Sequence, residues 1–215
     1  MTADYLLPRC ERIATSAWSD ALDEFEIQGV VAGISQRSGR GRFAAYAVTA
    51  REVAGPLRTF ARREFAVGSL IASVGPGQAL VVDAGGAQIS TFGGLATLAA
   101  SLRGAAAVVI DGGCRDIEEI RAINLWLGSR FVTPSSGKTR IRVESIGEAV
   151  HLGGVLVRTG DLVVGDETGI VIVPNAQIAA VLAKAEAILE KDRLIEAALR
   201  AGKSFSEAAT TADYI

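Results

Sequence analysis

Apolar residues along this chain follow two rhythms that alternate and then separate. Between residues 9 and 25, Ile13, Ala17, Leu22 and Phe25 recur at helical spacing, which predicts an N-terminal helix. Short β-like runs follow as VVAGI at 30–34, FAAYAVTA at 43–50 and ALVVDA at 79–84. Next come a helical LATLAASL at 95–102, a β-like AAAVVI at 105–110 and a second helical stretch from Ile117 to about Leu125. Strand, helix, strand, helix implies parallel neighbours in one sheet. The pattern then turns purely β, with FVT at 131–133, RIRVES at 140–145, GGVLVRTGDLVVG at 153–165 and GIVIVP at 169–174. A second sheet layer or a barrel-like closure is expected from it. From Asn175 to about Gly202, Ile178, Val181, Leu182, Ala185, Leu189, Ile195 and Leu199 lie three or four apart among charged residues, predicting a long amphipathic helix ended by glycine.

The fold class expected is therefore α/β, a single-domain layered sandwich with a central β-sandwich or barrel-like sheet between an N-terminal helix and a long C-terminal helix. No repeat or Pro/Ser-rich linker divides the 215 residues, so residues 1–215 are read as one domain, its helix at about 175–202 placed for a subunit interface. A net charge of -2 and no basic stripe argue against a nucleic-acid partner. Pro8, Arg9, Glu11 and Arg12 interrupt what a signal peptide would keep apolar. The longest apolar stretch, Leu95 to Ile110, carries Arg103 and Gly104 and falls short of the roughly 18 residues of a membrane span. A cytoplasmic protein without a membrane partner is expected. Cys10 and Cys114 are the only cysteines and form no CxxC, so neither a disulfide framework nor a zinc site is indicated.

Chemistry is expected where parallel strands end and helices begin, because backbone N–H groups are free there. Two such junctions exist, DAGGAQISTFGGLATL and VVIDGGCRDIEEI. If their strands are neighbours, the amides of Gly94, Leu95 and Ala96 and the side chains of Arg115 and Asp116 converge on one pocket. Each junction also has a structural explanation. A Gly-Gly pair suits a tight turn, and Asp116 with Glu119 three residues on approximates a capping box. Arg115 is not explained that way, since a cation at a helix N-terminus costs a few tenths to about 1 kcal/mol unless something anionic offsets it. A carboxylate beside a fixed Arg suits a hard divalent cation held by the Asp while the Arg grips a carboxylate or carbonyl oxygen.

Other segments are set aside. TPSSGKTR at 133–140 has Val132 where a phosphate-binding loop needs glycine. RSGRGR at 37–42 reads as a solvated turn or subunit contact. His151 has no second His or Cys near it in sequence and reads as structural. Cys114 is read as a small buried residue rather than an activated thiol.

With these motifs located, the chain resembles the family of 4-hydroxy-4-methyl-2-oxoglutarate aldolases, which also contains the regulator of ribonuclease activity A. The matching segments are GGLATLAASLRGAAAVVIDGGCRD at 93–116, GGVLVRTGDLVVGDETGIVIVP at 153–174 and the charged C-terminal helix ending LRAG. A signature of a glycine, twenty residues, Arg-Asp, two residues and an acid falls on Gly94, Arg115, Asp116 and Glu119. The resemblance implies a swivelling phosphohistidine-domain-like α/β sandwich assembled as a homotrimer or hexamer. It implies a class II pyruvate aldolase and oxaloacetate decarboxylase acting on a small α-keto acid with Mg²⁺ or Mn²⁺. Carried over by position, Asp116 anchors the metal, Arg115 binds the keto acid and the turn of Gly93, Gly94, Leu95 and Ala96 holds its carboxylate. Glu119 would stand behind these or cap the helix, and Glu190 or Asp192 of a neighbouring subunit could reach the metal waters.

The chemistry so implied passes through a pyruvate enolate. Enzymic accelerations need at least about 8 kcal/mol, against about 1 kcal/mol from a helix terminus, so a Lewis-acid metal beside Arg115 is expected. No Lys lies between Met1 and Gly137, so neither ligand loop offers a Schiff base, and a metal-polarised water is the expected proton carrier. Two positions depart from the family pattern: Gly94 stands where the catabolic aldolases are expected to carry an acid, and Glu196 where a basic residue is expected. The other roles implied are a non-catalytic regulator of a ribonuclease and a lyase acting on a different keto acid. Glu119 favours an enzyme, since members that only regulate are expected to lack that acid.

Overall fold

The computed structural model describes residues 5–211. Its centre is a nine-stranded sheet that curls into a half-barrel, with helices on its convex side. In chain order the elements begin with α1 (Leu6–Glu11), α2 (Thr15–Asp23), β1 (Ser35–Ser38) and β2 (Phe43–Ala54), then a 3₁₀ turn (Arg62–Phe65) and α3 (Val67–Ser73). The middle comprises β3 (Gln78–Asp83), β4 (Ser90–Phe92), α4 (Gly94–Leu102), β5 (Ala107–Cys114), α5 (Ile117–Ile123) and β6 (Trp126–Val132). The remainder is β7 (Ile141–Ile146), β8 (Val150–Leu152), β9 (Val155–Val157), β10 (Leu162–Gly165), β11 (Ile170–Val173), a second 3₁₀ turn (Asn175–Gln177), α6 (Ile178–Arg200) and α7 (Phe205–Thr211).

Strand order is β1-β6-β5-β3-β2-β10-β11, with β4 added on β5 and β7 on β2. The β2–β3–β5–β6 run is parallel, as the strand–helix alternation requires; β10 then adds to β2 antiparallel, and β11 adds to β10 antiparallel. Alternation along each strand divides the core. Ala79 and Val81 of β3 and Ala107 and Val109 of β5 face inward with Val163 and Ile172, under a lid formed by the β8–β9 hairpin (Val150, Leu152, Val155, Val157). The intervening Leu80, Val82, Val108 and Ile110 face outward against Leu70 of α3, Ala100 of α4 and Ile120 of α5. Leu162, Val164, Val171 and Val173 are covered instead by α1, α2 and α6 through Trp18, Leu22, Val181 and Leu182.

Three expectations need correction. The helix expected over 9–25 is two helices, because Asp166 holds the Thr15 amide (3.0 Å) and hydroxyl (2.7 Å) and restarts the chain after an extended Ala14. VVAGI is not a strand: Val31 pairs with Ile170 and Ala32 with Gly153, and Gly33 at φ +74° breaks the extended path. The Asp111-Gly-Gly segment does not end its strand; β5 runs on to Cys114 because β4 and β6 pair with it there. Among the described residues no helix is long and apolar enough to cross a membrane.

Candidate functional site

β3 and β5 are parallel neighbours, so the loops after them lie side by side at the carboxyl end of the sheet. β4 returns the first loop onto the end of β5 and delivers Gly93 and Gly94 directly beside Arg115 and Asp116. The Arg115 amide donates to the Phe92 carbonyl (3.0 Å), which fixes the two loops in register. Asp116 then adopts a left-handed conformation, φ +54° and ψ +48°, just before α5. L residues other than Gly, Asn and Asp seldom accept that region. Such strain persists where surrounding contacts enforce it, commonly at functional positions.

Those contacts aim the carboxylate away from its own helix. Asp116 makes no side-chain cap hydrogen bond to α5, so the capping-box reading of Asp116 and Glu119 is overturned. Its Oδ2 instead accepts from the Gly94 amide (3.2 Å) at the start of the neighbouring helix α4, and Arg115 Nε lies 3.5 Å from the same oxygen. A carboxylate there meets the positive end of the α4 dipole, and with Gly93 supplying no capping side chain the next amides, Leu95 and Ala96, stay at the helix start.

The two glycines are needed for separate reasons. A Cβ on Gly93 would fall 2.3 Å from Asp116 Oδ2 and 3.1 Å from Arg115 Nε. A Cβ on Gly94 would fall 2.8 Å from Glu119 Cβ. Glu119 therefore occupies the space that a side chain at position 94 would need. This is a physical reason for an acid to be absent there.

A cavity of about 240 Å³ opens over this junction, lined by Gly93, Leu95, Ala96, Arg115 and Asp116 together with Thr91. The structure thus brings together all the expected residues of the two junctions, Gly94 and Glu119 forming the wall behind. Larger surface depressions lie elsewhere; in the one lined by Arg42 and Asp166 the Asp is engaged in capping α2 through the Thr15 amide and hydroxyl. Glu190 and Asp192 are not part of the cavity within one chain. They sit on α6, which packs on α2; Glu190 pairs with Arg193 (3.5 Å), and burial together with the nearby Asp20 pushes the Asp192 carboxyl up.

Two contributors are missing from the residues expected at the two junctions. The loop after β6, dismissed above as a false phosphate loop, folds back so that Gly137 N donates to Ser90 O (3.0 Å), and Ser136 and Lys138 line the cavity. A lysine therefore does face the site, although neither ligand loop holds one. The second is Glu52, in the middle of β2 and only 4% exposed. Its Oε2 accepts from Thr91 Oγ1 (2.5 Å), and burial pushes its carboxyl up to about 7. An acid inside the mostly apolar strand FAAYAVTAREVA was the signal available for it.

Other candidates resolve as structural. Burial pushes the Cys114 thiol up, which keeps it inert, and its Sγ lies 3.3 Å from Ser129 Oγ. His151 points to solvent from the β8–β9 hairpin, and its backbone amide donates to Asp83. Asp111, buried, binds Arg130 and the Gly153 amide and ties that hairpin to β5.

The chain is similar to several known proteins. The family model RraA-like, described as Aldolase/RraA, matches residues 15–172. Uncharacterized protein MJ0644 of Methanocaldococcus jannaschii is 34% identical over 127 residues, 59% of this chain; the match spans 61% of that protein's length. A 4-hydroxy-4-methyl-2-oxoglutarate aldolase of Thermus thermophilus is 32% identical over 142 residues, covering 64% of this chain and 79% of that one. The crystal structure of an uncharacterized protein from Pseudomonas syringae superposes with a TM-score of 0.87 at 29% identity, covering 97% of this chain and 94% of that one.

Proposed function

As the chain belongs to the RraA-like (Aldolase/RraA) family, we propose that its cavity is the active site of a carbon–carbon lyase acting on a 4-hydroxy-2-oxo acid. The substrates proposed are 4-hydroxy-4-methyl-2-oxoglutarate or a close analogue, and oxaloacetate, each yielding pyruvate through its enolate. One observation carries this reading: Asp116 is held in a left-handed conformation that places its carboxylate at the α4 N-terminus beside Arg115, inside a cavity of small-molecule size.

The residues fit a hydrated divalent cation such as Mg²⁺ or Mn²⁺. Among the described residues no three His, Cys, Asp or Glu side chains are grouped to hold a metal, so a closed protein cage is absent. Mg²⁺ does not need one, since it keeps several waters and takes one or two carboxylates plus substrate oxygens. Asp116 would supply that carboxylate. When bound, the ion supplies Lewis-acid polarisation of the keto oxygen.

The chain's own groups perform the rest. Arg115, fixed by the Phe92 carbonyl on its backbone and Asp116 on its side chain, presents a planar donor fork to the keto acid. The first amides of α4 receive the substrate carboxylate. Negative charge grows on the keto oxygen as the bond β to it breaks, so Arg115 placed on that oxygen would stabilise the enolate more than the ground state, while the amides orient a carboxylate that is charged throughout. Lys138 and Ser136 line the same cavity and could contact the departing portion.

The test couples pyruvate release from both substrates to lactate dehydrogenase, with Mg²⁺, Mn²⁺ or EDTA. Release is expected with either metal and is lost with chelator. Equal release under EDTA overturns the metal, and an inert wild type transfers the reading to the non-catalytic ribonuclease regulator.

We also propose a homo-oligomer, a trimer or hexamer. Helix α4 carries Leu95, Leu98 and Leu102 outward, 87%, 43% and 80% exposed, an apolar stripe that a monomer would leave in water. Leu98→Asp with Leu102→Asp is expected to reduce the mass found by light scattering. A wild type that is already monomeric refutes the assembly.

A further inference from the structure

Glu52 is the one acid of β2 and is buried, whereas the adjacent Arg51 is exposed and pairs with Glu144. Glu52 Oε2 takes the Thr91 hydroxyl, while its Oε1 is buried with no hydrogen-bond partner among the described residues. A structural carboxylate in that position would be expected to have a cation or a full set of donors, because an unpaired buried charge is costly. Here the charged groups on the elements packed around β2 are engaged elsewhere. On β7, Glu144 pairs with Arg51 (3.3 Å) and Arg142 (3.6 Å). Asp83 of β3 accepts from the Gly85 and His151 amides, and Asp161 before β10 accepts from the Arg158 and Asn175 amides. Arg9 of α1 binds Glu186, and Arg62 and Arg63 of the 3₁₀ turn are exposed.

What Glu52 does reach is the cavity wall, since Thr91 lines it one residue from Phe92 and two from Gly93. The cavity needs a proton source. Cleavage leaves an enolate whose C3 must be protonated; position 94 has no side chain and Arg115 does not give up its proton, which leaves Lys138, the metal-polarised water expected from the sequence and the Thr91–Glu52 pair as groups able to supply it.

We infer that Glu52 is a positioning residue that stores a proton behind the cavity and passes it through the Thr91 hydroxyl to the enolate carbon. The inference rests on the lyase reading above. In the step, the enolate electron pair forms a C3–H bond with the Thr91 hydroxyl proton and the C2–O bond becomes a carbonyl. With Glu52 protonated its O–H donates to Thr91 Oγ1, the reverse of the bond made to the carboxylate, and frees the Thr91 hydroxyl proton for the enolate; Thr91 Oγ1 takes the Glu52 proton as its own leaves. Glu52 is left as a carboxylate and is reprotonated by the reverse path, through the Thr91 hydroxyl from water entering the emptied cavity. Because burial raises the Glu52 carboxyl to about 7, the stored proton is present at neutral pH and exchangeable there.

Exchange of pyruvate methyl protons with D₂O, followed by proton NMR with Mg²⁺ present, reads this step without any bond cleavage. Glu52→Gln and Thr91→Val are each expected to slow exchange by about 10²-fold, and Thr91→Ser to restore it. The wild-type rate is expected to change with pH near 7, and that inflection to vanish in Glu52→Gln. Thermal melts report the buried proton independently of catalysis. The folded carboxyl keeps its proton to higher pH than the unfolded chain, so the wild-type Tm should fall as pH rises from 4.5 to about 7 and level off above; Glu52→Gln should lack that fall. Exchange within twofold of wild type in both variants, with an unchanged pH profile, overturns the relay, as does a wild-type Tm flat across that window. If Glu52→Gln does not fold, Thr91→Val decides by the same criterion. A wild type that exchanges no methyl protons overturns the enolate reading itself, and the relay with it.

Discussion

Asp116→Asn is expected to lower pyruvate release from oxaloacetate by at least about 10²-fold, the range found when one preorganised charge-stabilising group is lost, while the protein melts close to wild type. Asparagine suits the test because it shares the size of aspartate and tolerates the left-handed conformation that Asp116 adopts. The backbone can therefore stay where β4 and the Arg115–Phe92 hydrogen bond place it. What changes is charge. The amide no longer balances Arg115 at the helix start, and it offers a poor ligand for a hard cation. Asp116→Ala would confuse the outcome by adding the cost of a left-handed alanine, roughly 1 kcal/mol or more. Asp116→Asn with wild-type turnover would remove Asp116 from the chemistry.

Gly93→Ala tests the geometry rather than the charge. The added methyl has no conformational reason to be resisted, because Gly93 is extended at φ -130°. Its difficulty is contact, 2.3 Å from Asp116 Oδ2 and 3.1 Å from Arg115 Nε. Asp116 Oδ2 ends its side chain and Arg115 Nε and Cγ belong to a long flexible one, so both side chains can shift and the fold should accept the change with a Tm loss of a few degrees at most. The site should not, since displacing a positioned group by about 1 Å can cost about 10²-fold. The expected result is a steep fall in kcat/KM without matching loss of stability. Coupled losses of both would show that Gly93 serves the fold alone.

The parts of this protein that could be read from sequence are those set by local pattern. Periodicity located α4, β5 and α6, and the two glycine-bearing junctions with Arg115 and Asp116 followed from strand–helix order. What escaped depended on long-range closure. Val31 and Ala32 look like a strand but pair with Ile170 and Gly153, far along the chain. Asp116 with Glu119 reads as a helix cap until the Gly94 amide competes for the carboxylate from another helix. Lys138 and Glu52 enter the site from a loop and a strand whose own sequences carry no spacing relation to Arg115.

The close approach of Gly94 to Glu119 also constrains the evolutionary history open to this chain. An acid gained at position 94 would strike the Cβ of residue 119, which every residue but glycine possesses, so trimming Glu119 to alanine gives no relief. Helix α5 would first have to settle farther from α4. A lineage can therefore acquire the acid only after permissive changes in that helix contact, and the order of substitutions is fixed by packing before selection on catalysis can act.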